Sequence, residues 1–141
     1  MNPRDTTTGR VLEEMVLSAL TKGGYSYRKQ VAVGLRPGGG KHMVDLLVEG
    51  SAGEQIPVSM KWQQVSGTAE QKVPFEVISL ADAIQKSGGK FKTAYLVLGG
   101  EGWTLRDYYL SGDLRQYLRN CEHVKIVSFE TFVSNANQGR L

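Results

Sequence analysis

His42-Met43-Val44-Asp45-Leu46-Leu47-Val48 and Ile56-Pro57-Val58-Ser59-Met60-Lys61-Trp62-Gln63 are two apolar runs, each carrying an ionisable residue in its interior, either side of a Gly50–Glu54 connection. They predict two strands, over 43–48 and 55–62, with Gly50, Ser51 and Gly53 as turn chemistry between them. A charge inside such a run is costly unless it has a partner or a metal. Asp45 and Lys61 are therefore either partners in the core or parts of one site. Strand alternation puts Ser59, Lys61 and Gln63 on one face. Trp62 then points to the other face, toward the core.

The flanking chain supplies the rest of the fold. Residues 6–22 read as a helix: Thr6 to Thr8 offer capping hydroxyls, and Glu13, Val16, Leu17 and Leu20 fall at i, i+3, i+4, i+7. Gly23-Gly24 stops it. Tyr25 to Val33 reads as a strand, and Gly34 to Gly40 as a flexible loop. After a break at Ser66–Gln71, Pro74 suits the first turn of a second helix. That helix carries the Val77, Leu80, Ala81, Ile84 stripe and ends at Gly88-Gly89. Thr93 to Leu98 reads as a strand and Leu105 to Arg119 as a helix interrupted near Ser111-Gly112. Val124 to Phe129 is a short strand, with a small helix after it. The order α-β-β-β-α-β-α-β predicts an α/β fold, a single domain over 1–141 with a mixed sheet flanked by helices.

Composition narrows the function. The chain has 141 residues, 40% hydrophobic, enough for one real core. No apolar run approaches the roughly 20 residues of a membrane span, and the polar N-terminus has no signal-peptide pattern. One cysteine, Cys121, excludes an internal disulfide framework, and no Cys/His cluster suggests zinc. An intracellular setting, cytoplasmic or nucleoid-associated, is expected. The net charge of +3 hints at an anionic partner. Arg28, Lys29, Arg36, Lys41 and His42 cluster just before Asp45 and are the candidate nucleic-acid contacts, by phosphate. Lys86, Lys90 and Lys92 form a second basic group. A P-loop is excluded: one ending at Lys41 requires glycine where Leu35 stands and a hydroxyl where His42 stands. No serine stands in a nucleophile-elbow context.

The hairpin resembles the PD-(D/E)xK nuclease superfamily, whose core motif is an aspartate on one strand and (Asp/Glu)-x-Lys on the next. Here it reads Asp45, thirteen residues, Ser59-Met60-Lys61. The first helix extends the likeness to the archaeal-type Holliday junction resolvases of that superfamily. These open with glycine, a catalytic glutamate four residues on, an apolar helical stripe, then glycine and an aromatic. Gly9, Glu13, Val16, Leu17, Leu20, Gly24 and Tyr25 follow in step. Glu13, not Glu14, shares the apolar face.

Ser59 departs from the pattern, because hard divalent ions favour charged oxygens over a hydroxyl. A subgroup of restriction enzymes in the superfamily has Ser-x-Lys and carries the acid on the following helix, thirteen residues beyond the lysine. Glu76, with fourteen residues between it and Lys61, is the matching candidate here, and Glu70 is the second. A third reading makes Ser59 a substitution for a native acid. Glu76 also reads as an ordinary helix-start charge. The resemblance implies a restriction-endonuclease-like core and a Mg²⁺-dependent endonuclease of DNA recombination and repair, with Mn²⁺ able to substitute. It implies a homodimer that cuts four-way junctions. Asp45, Glu13, Glu76 and the backbone oxygen of Met60 are the candidate metal donors. Lys61 would orient the attacking water, with Ser59 and Gln63 as further catalytic candidates. A restriction-type nuclease and a catalytically silent DNA-binding module are the alternatives.

Overall fold

The computed structural model describes the backbone of residues 6–141 and the side chains from residue 9. The expected capping hydroxyls of Thr6 to Thr8 lie outside the described side chains. The helices are α1 (Thr6–Lys22), α2 (Val73–Lys86), α3 (Arg106–Ser111) and α4 (Phe129–Asn137). The strands are β1 (Ser26–Leu35), β2 (Lys41–Glu49), β3 (Gln55–Trp62), β4 (Ala94–Gly99) and β5 (Val124–Ser128). They form one five-stranded sheet in the order β1-β2-β3-β4-β5. The first three strands are antiparallel, whereas β3, β4 and β5 run parallel. Every residue of β4 is buried, as a parallel strand covered on both faces requires.

Two cores lie on the two faces. Val16, Leu17 and Leu20 of α1, with Phe132 and Ala136 of α4, pack on Leu46, Val48, Val58, Met60 and Val97. Val73, Val77 and Leu80 of α2 pack on Val44, Leu96 and Leu98. Trp62 belongs to the first core, edge-on to Phe129 at 6.1 Å, as strand alternation predicts. A Cβ on Gly9 would come within 3.2 Å of Trp62 Cδ1, which explains a glycine in the first turns of α1.

Two readings are corrected. The loop expected over Gly34–Gly40 is shorter and closed: β1 runs on to Leu35, which pairs with Lys41. The turn is tied by Arg36 N–H to Gly40 O at 2.6 Å and Gly39 N–H to Arg36 O at 2.9 Å. The third helix stops at Ser111, because Gly112 is left-handed at φ 86°, and a 3₁₀ turn covers Asp113–Tyr117.

Candidate active site

The sheet is broken where Asp45 sits. On β2, Leu46 and Val48 face the α1/α4 core, yet Val44 faces the α2 core. On β1, Tyr27 packs on the first core and Val31 on the second. Both strands change face between the register pairs Lys29↔Leu46 and Val31↔Val44, that is, at Gln30 and Asp45. Gln30 accommodates this with a left-handed backbone, φ 52°, which non-glycine residues seldom adopt. The β2–β3 register begins at Leu46↔Val58, so Asp45 lies just where β2 leaves β3.

Its carboxylate occupies the opening. Asp45 Oδ2 accepts the Met60 N–H at 2.6 Å, and the Gln30 amide makes a long 3.5 Å contact with Oδ1. Burial raises the Asp45 carboxyl above the ordinary aspartate range; the Met60 N–H, the Lys61 charge and Gln30 oppose this, and the Glu76 charge adds to it. Asp45 and Lys61 thus act on each other electrostatically, but they form no direct ion pair among the described residues. A core ion pair, one of the two sequence-level readings, is not what is built.

Ser59 and Glu76 meet on the α2 side of the sheet. Ser59 Oγ donates to Glu76 Oε2 at 2.5 Å, so the carboxylate from α2 lies against the position where the family pattern has its own acid. His42 Nε2 donates to the same oxygen at 2.9 Å. Arg36 Nη1 donates to Oε1 at 2.5 Å. Glu76 is only 3% exposed. Burial alone would raise its carboxyl, but the His42, Ser59 and Arg36 hydrogen bonds outweigh it and hold the group at about 2. Glu76 therefore stays a carboxylate across the working pH range.

Gln63 is fixed at three points. Its N–H donates to Gly99 O at 2.9 Å, its carbonyl accepts from Gly102 N–H at 2.8 Å, and its Nε2 donates to Gly102 O at 2.8 Å. Gly100 makes that approach feasible, since a Cβ there would stand 2.4 Å from the Gln63 carbonyl oxygen. Gln63 Oε1 is buried and has no hydrogen-bond partner among the described residues. Glu70 has a different task. Its Oε1 accepts the N–H groups of Thr104 and Leu105 at the start of α3, and its backbone oxygen accepts from the Tyr109 hydroxyl.

The other sequence-level candidates divide. Glu13 is half-buried and comes within 3.9 Å of Lys29 Nζ on β1, one residue from Gln30. Arg28, Lys29 and Lys41 are exposed. Arg36 is committed to Glu76. His42, expected to touch phosphate, is fully buried, so that contact is withdrawn. The signal was present: His42 and Val44 are two apart on one strand and share its inner face. Nothing in the sequence marked Gln30.

The donors suit a hard divalent cation. Among the described residues, Asp45 Oδ1 has only the long Gln30 contact, the carboxyl is raised by burial, and the Glu76 charge raises it further. Among the described residues, no three His, Cys, Asp or Glu side chains are gathered as a ready-made metal cage. Glu13, Asp45 and Glu76 therefore do not meet as a trio, which leaves Asp45 and Glu76 as a pair.

A model of the PD-(D/E)XK nuclease superfamily domain matches residues 4–140. The chain belongs to that superfamily. Superfamily membership points to a nuclease domain. A crystal structure of AF1548, a protein of unknown function, is similar at a TM-score of 0.50 and 14% identity. The match covers 82% of this chain and 55% of that one, so the chain spans little more than half of that protein, and the likeness concerns the fold alone. No curated protein matches the sequence. Among the described residues, no helix is long and apolar enough to cross a membrane.

Proposed function

We propose that the chain is a single-domain, Mg²⁺-dependent DNA endonuclease, that it acts as a homodimer, and that four-way junctions are its preferred substrate. The observation that carries the catalytic part is the 2.5 Å Ser59–Glu76 contact beside Asp45 and Lys61, because it supplies from α2 the acid that position 59 lacks. Asp45 and Glu76 would hold the cation, with the Met60 backbone oxygen as a further donor. When bound, the cation supplies positive charge against the scissile phosphate in the transition state. Lys61 holds the attacking water and offsets phosphate charge. The unpartnered Gln63 Oε1 accepts a hydrogen from that water. In-line attack forms a new P–O bond and breaks the bond to the 3′ oxygen, which leaves as a hydroxyl once protonated. The products are a 5′-phosphate and a 3′-hydroxyl. Glu13 enters from α1 as the counterpart of the resolvase glutamate. Exposed Arg28, Lys29 and Lys41 bind the backbone, which suits recognition of shape over sequence.

One observation favours the silent DNA-binding alternative: the absence, among the described residues, of a gathered donor cage. Incubation with synthetic junction and linear duplex in Mg²⁺ separates the readings. Paired symmetric nicks in the junction support the resolvase reading. Sequence-specific cuts in duplex support a restriction-type enzyme. Binding without any cut supports the silent module.

A further inference from the structure

Glu76 has two oxygens with different company. Oε2 takes the two donors that strands hold in place, Ser59 on β3 and His42 on β2, which are 2% and 0% exposed. Among the described residues, Oε1 takes only Arg36. Arg36 comes from the β1–β2 turn, beside Gly38, Gly39 and Gly40, where added Cβ atoms would meet nothing within 4 Å among the described residues. Its side chain is 26% exposed, and its guanidinium rests 5.9 Å from the centre of the half-exposed Phe75 ring. Of the three donors, Arg36 alone is held by a side chain reaching in from the surface. A guanidinium on Oε1 also puts positive charge where a cation bound to that oxygen would put its own.

We propose that Arg36 is an exchangeable stand-in for the metal. It occupies Glu76 Oε1 in the free protein and moves to a DNA phosphate when the cation and DNA arrive together. Two cations cannot share one carboxylate oxygen without mutual repulsion, so metal entry expels the guanidinium. The expelled group is a planar fork suited to phosphate and lies on the turn already bordered by Lys41. Metal and DNA then favour each other's binding, reciprocally and by linkage. Without DNA, Arg36 keeps the cation loosely bound, which restrains cleavage of the wrong substrate. This inference rests on the reading of Asp45 and Glu76 as metal donors.

The test is calorimetric titration with Ca²⁺, a hard cation that occupies oxygen sites, on the parent, Arg36→Gln, Glu76→Gln and Asp45→Asn, with and without a short duplex. Arg36→Gln should bind Ca²⁺ about tenfold more tightly than the parent without DNA, within the usual range for coupled sites. Duplex should tighten Ca²⁺ binding in the parent and change it little in Arg36→Gln. Equal or weaker Ca²⁺ binding by Arg36→Gln overturns the exchange. If Glu76→Gln and Asp45→Asn still lose Ca²⁺, the metal reading stands without it. If neither carboxylate variant loses Ca²⁺, the metal reading fails and the exchange fails with it. A measurement on the unaltered protein covers a variant that does not fold: the arginine Nε–H NMR signal of Arg36 should move when Ca²⁺ and duplex are added together. A signal that stays in place overturns the proposal.

Discussion

At the residue scale, half-buried Asp45 and buried Glu76 make opposite demands on stability. Burial raises the Asp45 carboxyl from its ordinary 3.8. The folded chain then holds a proton that the unfolded chain has released, so stability falls as pH rises through that window and stays lowered above it. Asp45→Asn removes the cost and keeps an oxygen for the Met60 N–H. The variant should melt at a higher temperature than the parent at pH 7 and lose cleavage while keeping DNA binding. A lower melting temperature would show that Asp45 is a structural partner. Glu76 runs the other way, lowered from 4.5 to about 2. Its contribution is fully present above the unfolded value and is lost as pH falls toward 2. A shift of that size corresponds to roughly 3 kcal/mol. Glu76→Gln should lose stability of that order at pH 7 in denaturant titrations, and the gap to the parent should close near pH 2. Asp45, Lys61 and Glu76 were all legible as candidates, because charge in or beside an apolar stripe stands out. The Arg36 contact was not, since a salt bridge across forty positions leaves no local pattern.

At the element scale, the strands and the helices α1 and α2 were legible to within a few residues, because apolar spacing and glycine stops agreed with the packing that followed; the third helix was not, since Gly112 ends it at Ser111. The face change at Gln30 and Asp45 was not. Alternation assumes a regular pleat, and a matched irregularity in two paired strands resets it without any residue type to announce it. The turn after β4 governs the site just as indirectly. Gly100 is left-handed at φ 96°, with Gln63 pressed against it. Gly100→Ala should cost about 1–3 kcal/mol of strain and displace Gln63, lowering cleavage with less effect on DNA binding. Unchanged turnover would remove Gln63 from the water-holding role. On α1, Glu13→Ala should impair cleavage far more than Glu14→Ala, measured as single-turnover rates. Equal, small effects would leave Glu13 as no more than the partner of Lys29.

At the scale of the whole molecule, the hairpin, the acid on α2 and the fixed glutamine converge on one side of a mixed sheet, and exposed basic residues border them. A surface that reads phosphates binds with strong salt dependence, losing roughly 10³-fold or more between 50 and 200 mM salt when several contacts form. A dimer adds the need for two sites to meet two symmetric strands together. The surface of the proposed dimer leaves no pattern in the sequence, because scattered exposed apolar residues are ordinary. Everything in the proposed chemistry depends on Asp45 and Lys61. The most direct measurement follows a labelled four-way junction with the parent, Asp45→Asn and Lys61→Ala, in Mg²⁺ and in EDTA. Mg²⁺-dependent nicks with 5′-phosphate ends are expected from the parent, none in EDTA, and none from either folded variant. Equal cutting by Asp45→Asn, or no cutting of any DNA by the folded parent in Mg²⁺ or Mn²⁺, would contradict that chemistry.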